Sequence, residues 1–135
     1  MNMNSKIYTL YQQLYQKYGV SPEAVKARDS EQQRLRFKYL LSCSNIEMNE
    51  SILDIGCGSG ELLDYLRKNG LNGPYCGVDF IKEFIEHGNI FYKKDVDSKF
   101  IHLDIVNDHI PKPYDWVVLS GVFNDLRDDS EMFFY

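Results

Sequence analysis

The chemically most informative feature of this sequence is a glycine-rich turn. Glycines occupy positions 56, 58 and 60, and Asp54 lies two residues before the first of them. An apolar run over Ser51–Ile55 predicts a strand before the turn, and leucines at helical spacing over Glu61–Asn69 predict a helix after it. Such a turn lets a ligand lie against bare backbone, and the helix directs free N–H groups and a partial positive charge toward it. The pattern predicts a ligand site that suits a carboxylate or a phosphate.

The spacing of the glycines separates the cofactor classes that use this architecture. A dinucleotide fingerprint, G-x-G-x-x-G/A, would need glycine or alanine at position 61, where this chain has Glu61. The sequence also contains no G-x-x-x-x-G-K-[ST], which excludes a P-loop. Because Glu61 breaks the dinucleotide fingerprint, an NAD-dependent oxidoreductase is a disfavoured alternative.

Composition narrows the class of protein. The 135 residues are 44% hydrophobic and 26% charged, which is typical of a globular domain. The net charge of -5 disfavours nucleic acid as a partner, because phosphates require a basic surface. No apolar run approaches the roughly 20 residues that cross a bilayer, and the first residues lack the apolar segment of a signal peptide. We expect a cytoplasmic protein that binds neither nucleic acid nor membrane.

Neither cysteine nor histidine spacing predicts a metal site. The three cysteines are odd in number and share no C-x-x-C, so reduced thiols are expected rather than disulfides or zinc ligands. The three histidines, His87, His102 and His109, are not spaced as ligands either.

The order of predicted elements divides the chain in two. Residues 1–45 read as a helical cap, with an amphipathic stripe over residues 7–18 and a capping box, Ser30 and Gln33, that opens a helix ending near Cys43. From residue 46 to 135, strands alternate with helices, which predicts βαβ units and a parallel sheet. The predicted strands are Ser51–Ile55, Tyr75–Phe80, Lys99–Ile105 and Trp116–Leu119, and the helix after the second strand covers Ile81–His87 and could pass Gly88.

Four segments together resemble class I S-adenosylmethionine-dependent methyltransferases. Residues 52–63, ILDIGCGSGELL, resemble motif I of that family. Three further segments resemble the ends of the family's second, third and fourth strands: GVDF at 77–80, IHLDI at 101–105 and YDWVVLSGVF at 114–123. The match covers about residues 50–124 in the family's order. It implies an α/β, Rossmann-like fold with strand order 3-2-1-4 and S-adenosyl-L-methionine as the cofactor.

The resemblance implies a role for each strand end. Asp79 would accept hydrogen bonds from both ribose hydroxyls, with a helix cap as its alternative role. Phe80 would lie against the adenine ring, with core packing as the alternative. Asp104, with Ile105 beside it, would end the third strand and meet the adenine amino group, with a turn as the alternative. Asp54 would orient the loop and the amino end of the cofactor.

The backbone of Ser120 and Gly121 would line the methionine portion. The complete set of expected cofactor-binding residues is Asp54, Gly56, Cys57, Gly58, Gly60, Asp79, Phe80, Asp104, Ile105, Ser120 and Gly121.

The implied reaction is in-line transfer of a methyl group from a sulfonium, in which a protein contributes mainly alignment and exclusion of water. No acid–base residue is required, so no catalytic residue is assigned. The segment after the fourth strand lacks an Asn/Asp-Pro-Pro-aromatic tetrad, which together with the negative charge favours a small-molecule acceptor, or less strongly a protein, over DNA. A non-catalytic S-adenosylmethionine-binding or assembly module is the alternative.

The family's sheet has seven strands in the order 3-2-1-4-5-7-6, whereas four are predicted before Tyr135. We therefore expect a domain truncated after its fourth strand. That strand would then form an apolar sheet edge through which the chain could self-associate.

Overall fold

A computed structural model of the protein describes residues 30–110 and 112–119, together with the helical positions 9, 10, 13, 16 and 17. The amphipathic stripe over residues 7–18 and the pair Ser120–Gly121 lie outside the described residues, apart from those five positions. The elements, in chain order, are α1 Ser30–Ser42, β1 Ile52–Ile55, α2 Glu61–Lys68, β2 Tyr75–Asp79, α3 Lys82–Phe91, β3 Ser98–His102 and β4 Trp116–Val118.

The four strands form one parallel sheet in the order β3-β2-β1-β4. This confirms the Rossmann-like α/β fold and the strand order that the resemblance implied. Asp54 of β1 pairs with Gly77 of β2 on one side and with Val118 of β4 on the other. The carboxyl ends of β1 and β2 therefore lie side by side. The glycine loop follows β1 there, and Asp79 is the last residue of β2.

Three predicted strand ends extend too far. β2 ends at Asp79 rather than Phe80, β4 ends at Val118 rather than Leu119, and β3 ends at His102 rather than near Asp104. The third difference has a local cause, because the Asp104 carbonyl accepts the N–H groups of Asn107 and Asp108 at 3.1 and 2.8 Å. The Leu103 N–H still donates to the Asp79 carbonyl, and the turn that begins at Asp104 then directs the chain away from the sheet. α3, by contrast, does continue through Gly88 to Phe91.

The alternation of side chains along the strands separates two groups of core residues. One cluster combines Ile52, Tyr75 and Phe100 from the sheet with the leucines of α2. The second cluster contains the strand residues Leu53, Ile55, Cys76 and Val78. Because side chains alternate along β1, Asp54 lies on the sheet face of Ile52 and not on that of Leu53 and Ile55. The same face carries Tyr75 and Phe100 on the neighbouring strands.

α1 packs on α2 through the rings of Phe37 and Tyr65, whose centroids are 5.6 Å apart. Phe37 belongs to the same core cluster as the leucines of α2. The division of the chain at residue 45 stays a prediction. No helix in the described part of the chain is long and apolar enough to cross a membrane.

Candidate functional site

The glycine loop joins β1 to α2 in a conformation that its three glycines make accessible. Gly56, Gly58 and Gly60 have φ angles of 75°, 59° and 100°. These angles lie in the left-handed region, where a Cβ is disfavoured. The amides of Gly56 and Cys57 both donate to the Val78 carbonyl, at 2.9 and 3.1 Å, so that β2 holds the start of the loop.

Gly60 ends the loop and precedes the first residue of α2. A Cβ at this position would lie 2.7 Å from Cε2 of Tyr92 and 2.8 Å from Cζ of Phe100. The position therefore requires glycine for two reasons, its φ angle and the close approach of two rings.

Asp79 connects the glycine loop to α3. Its Oδ2 accepts the Gly58 N–H at 3.0 Å, and its Oδ1 accepts the Ile81 N–H at 2.9 Å. Ile81 is the N-cap residue of α3, which begins at Lys82, so Asp79 closes a turn ahead of the helix and is not itself the helix cap that was weighed as its alternative. The Phe80 N–H adds a third backbone hydrogen bond to this carboxylate, which offers about four acceptor positions in all. Burial raises the pKa of Asp79 to about 6.

Asp54 is buried inside the sheet rather than exposed at its end. It is 2% exposed, and the hydroxyl of Tyr75 donates to its Oδ2 at 2.6 Å. Burial raises the pKa of Asp54 to about 7; the Tyr75 hydrogen bond opposes that shift, and the charges of Glu61 and Asp79 add to it. Within the part of the chain that the structure describes, the Asp54 carboxylate thus bonds to a core tyrosine, and its part in orienting the loop stays a prediction.

Ser59 and Glu61 form a second polar contact at the start of α2. The Ser59 hydroxyl donates to a carboxylate oxygen of Glu61, and burial raises the pKa of Glu61. Sequence reasoning used Glu61 only to exclude a dinucleotide and did not include Ser59 in the site. The pair does not have the spacing of a capping box, and the N-cap position of α2 is Gly60, so the sequence offered no standard signal for this contact.

Two further predicted cofactor-binding residues are Cys57, within the glycine loop, and Phe80, which follows β2. The Cys57 thiol is buried and donates to the Gly58 carbonyl at 3.2 Å, and burial raises its pKa. Phe80 is half-buried, and both its adenine-covering role and its core-packing alternative stay predictions. Its carbonyl lies 3.1 Å from Nε2 of His102.

Asp104 has the turn role that was its alternative. Its Oδ1 accepts the Val106 N–H at 3.0 Å and its Oδ2 accepts the Asn107 amide at 2.7 Å. Ile105 is exposed in the same turn. The structure thus joins the loop to Asp79 by a direct hydrogen bond, and Asp54 lies two residues before the loop with its carboxylate bonded to Tyr75. Asp104 and Ile105 lie in the turn that follows β3. In the described part of the chain, no group of three or more His, Cys, Asp or Glu residues could hold a metal ion.

Asp54→Asn is expected to flatten the dependence of stability on pH. The pKa of the buried carboxyl is about 7 against an ordinary 3.8, so the native state binds this proton more tightly. The corresponding contribution to stability is complete below about pH 4 and is lost as pH rises through about 7. Urea unfolding at several pH values between these limits measures it. The exposed Asp97→Asn is the control, and an unchanged slope in Asp54→Asn would contradict the assignment.

Comparison with known proteins places the chain among methyltransferases. The family described as methyltransferase domain matches residues 53–133. The candidate methyltransferase 235L of Invertebrate iridescent virus 6 is 34% identical over 92 residues, which are 68% of this chain and 34% of the viral protein. The candidate methyltransferase Rv1506c of Mycobacterium tuberculosis is 35% identical over 74 residues, 55% of this chain and 42% of that protein. The chain thus spans about a third of the length of the first relative and about two-fifths of the second.

The fold is shared with solved methyltransferases. An S-adenosylmethionine-dependent methyltransferase from Thiobacillus denitrificans, solved in complex with S-adenosyl-L-homocysteine, superimposes with a TM-score of 0.53 at 23% identity. The match covers 72% of this chain and 40% of that one. The strand order, the glycine loop joined to Asp79 and the family match over most of the chain lead to one conclusion: this chain belongs to the methyltransferase domain family.

Proposed function

We propose that this domain binds S-adenosyl-L-methionine at the carboxyl ends of β1 and β2 and serves methyl transfer to an acceptor. The observation that carries the proposal is the hydrogen bond between the Asp79 carboxylate and the Gly58 amide, which joins an acidic strand end to a loop of three left-handed glycines. A parallel sheet binds ligands in the crevice outside the carboxyl ends of its strands. The related fold from Thiobacillus denitrificans, solved with S-adenosyl-L-homocysteine, supports the same ligand class here.

The charges around the loop favour this ligand over a dinucleotide. Three carboxylates, Asp54, Glu61 and Asp79, are desolvated near the loop, and the charges of Glu61 and Asp79 raise the pKa of Asp54. A pyrophosphate would add further negative charge to this group and be repelled. A sulfonium and an ammonium group carry the opposite charge and would offset that repulsion.

Each part of the ligand has a candidate partner. Asp79 would bind the ribose hydroxyls, and the glycine loop would lie against the amino-acid portion. Phe80, half-buried at the end of β2, would cover the adenine ring. Asp104 and Ile105 would complete the adenine side. The bound sulfonium would supply an activated methyl group, and the chain's own residues would align it and exclude water.

The proposed acceptor is a small molecule, with a protein as the less favoured choice. The net charge of -5 supports this, because it disfavours nucleic acid. A cytoplasmic location is part of the proposal and is supported by free cysteines in the described residues, Cys43, Cys57 and Cys76.

Thermal unfolding with added ligands tests the proposal. A ligand at about 100 times its Kd stabilises the folded state by about 2.7 kcal/mol, so S-adenosyl-L-homocysteine and S-adenosyl-L-methionine should both raise the Tm. NAD should not. A rise with NAD and none with S-adenosyl-L-homocysteine would assign the site to an oxidoreductase. Binding without turnover on any acceptor would instead support a non-catalytic module.

The expectation that the chain self-associates through its fourth strand stays a prediction. Within residues 30–110 and 112–119, β4 is the outer strand of the sheet, and Val117 on it is 50% exposed. Unpaired edges of this kind pair with other chains. Sedimentation of the protein is expected to show a concentration-dependent dimer that Val117→Lys weakens. A monomer at all concentrations, with or without the substitution, would remove this expectation.

A further inference from the structure

Three aromatic rings lie side by side behind the glycine loop. The centroid of Phe100, in β3, is 5.7 Å from that of Tyr75 in β2 and 5.6 Å from that of Tyr92, which follows α3. Tyr75 and Phe100 are almost completely buried, and Tyr92 is half-buried. We refer to Tyr75, Phe100 and Tyr92 as the aromatic trio.

The two hydroxyl groups of the trio bond to residues on either side of the glycine turn, one in the strand before it and one at its end. Tyr75 donates to Oδ2 of Asp54, two residues before the first loop glycine, at 2.6 Å. Tyr92 donates to the carbonyl of Gly60, the last loop residue, at 3.0 Å. The same carbonyl accepts the Asp64 N–H at 3.2 Å, which links the contact to the first turn of α2.

Ordinary core packing does not explain these hydroxyl groups. Phenylalanine would fill the same space, whereas a buried hydroxyl destabilises the fold unless it finds a partner. Both hydroxyls find a partner far away in the chain: Asp54 in the strand that leads into the loop is 21 residues from Tyr75, and Gly60 at the end of the loop is 32 residues from Tyr92. The ring between them is fixed as well, because added Cβ atoms at Gly77 and Gly88 would lie 3.0 and 2.7 Å from Cδ1 of Phe100.

We propose that Tyr75 and Tyr92 are positioning residues for the cofactor loop, with Phe100 as the spacer that sets the distance between their two hydroxyl groups. This inference rests on the proposed function, since it concerns the loop that would bind S-adenosyl-L-methionine. Neither tyrosine touches the ligand in this account. Both act by keeping the amides and carbonyls of the loop in the geometry that the ligand requires.

The test compares Tyr75→Phe and Tyr92→Phe with Tyr39→Phe, a control on α1 whose side chain is 65% exposed. Each substitution removes one oxygen and keeps the ring. Calorimetric titration with S-adenosyl-L-homocysteine should show an affinity about three- to tenfold lower for either trio variant, as expected for one lost hydrogen bond, and an unchanged affinity for the control.

Hydrogen exchange of single amides separates positioning from a general structural role. In the trio variants the amides of Gly58, Gly60 and Asp64 should exchange faster, while the Leu71 amide at the end of α2 should keep its rate. Wild-type affinity in both trio variants would overturn the inference and leave the proposed function standing. Faster exchange at every amide would also overturn it, because the tyrosines would then stabilise the whole fold. Absence of binding by the wild-type protein would instead remove the proposed function and this inference with it.

Discussion

Gly60→Ala is expected to destabilise the domain by about 2–5 kcal/mol and to abolish measurable binding of S-adenosyl-L-homocysteine. The φ angle of 100° alone costs an alanine roughly 1–2 kcal/mol. The new methyl group would also lie 2.7 Å from the ring of Tyr92 and 2.8 Å from that of Phe100. Neither ring can move freely, because Phe100 is buried and the Tyr92 hydroxyl donates a hydrogen bond to the Gly60 carbonyl. Overpacking of this kind adds about 1–3 kcal/mol.

Gly70→Ala is the matched control for that result. Gly70 has a similar φ of 80°, but a Cβ at this position would meet no atom within 4 Å. It should therefore cost only the backbone penalty of roughly 1–2 kcal/mol and leave ligand binding unchanged. Urea unfolding and ligand titration on both variants measure the difference. Equal losses for the two glycines would show that the close approach of Tyr92 and Phe100 has no energetic consequence.

Asp79→Ala is expected to weaken binding of S-adenosyl-L-homocysteine by about ten- to a thousandfold, from two lost hydrogen bonds to the ribose. The substitution is also expected to lower stability, because this carboxylate accepts the amides of Gly58 and Ile81. Leaving both amides without a partner should cost about 1–3 kcal/mol or more.

Asp115→Ala separates the two effects of the Asp79 substitution. Asp115 also accepts two hydrogen bonds with one carboxylate, from the amide and the hydroxyl of Ser51 at 2.8 and 3.1 Å. Ser51 precedes β1, at the end of the strand opposite to the glycine loop. Asp115→Ala should therefore lower stability and leave the affinity unchanged. Wild-type affinity in Asp79→Ala would assign Asp79 to its contacts with the amides of Gly58 and Ile81 alone.

The parts of the fold that were predictable from the sequence depend on short-range patterns. The turn at Gly56–Gly60 lies between an apolar strand and a leucine-rich helix, and each of these signals spans fewer than ten residues. The alternation of strands and helices then predicts a parallel sheet, and the resemblance to a known family adds the strand order. These features follow from propensity and periodicity, which the sequence displays directly.

The contacts that complete the site were not predictable, because their partners are distant in the chain. Nothing near Tyr92 indicates that its hydroxyl reaches Gly60, and nothing near Tyr75 indicates Asp54. Both contacts depend on how β2, β3 and α3 pack, which follows only from the assembled sheet. The end of β3 is a different case. Asp104 is followed by Asn107 and Asp108, a turn signal that was present in the sequence and was outweighed by the apolar run before it.

The most direct test of the central claim is a titration of isotopically labelled protein with S-adenosyl-L-homocysteine, followed amide by amide by nuclear magnetic resonance. The proposed site predicts saturable shifts at Gly56, Gly58 and Gly60 and at the end of β2, Asp79 and Phe80, with little change in α1. NAD at the same concentration should leave these signals in place. Loop signals that do not respond to S-adenosyl-L-homocysteine, or that respond to NAD instead, would contradict the assignment of this site to S-adenosyl-L-methionine.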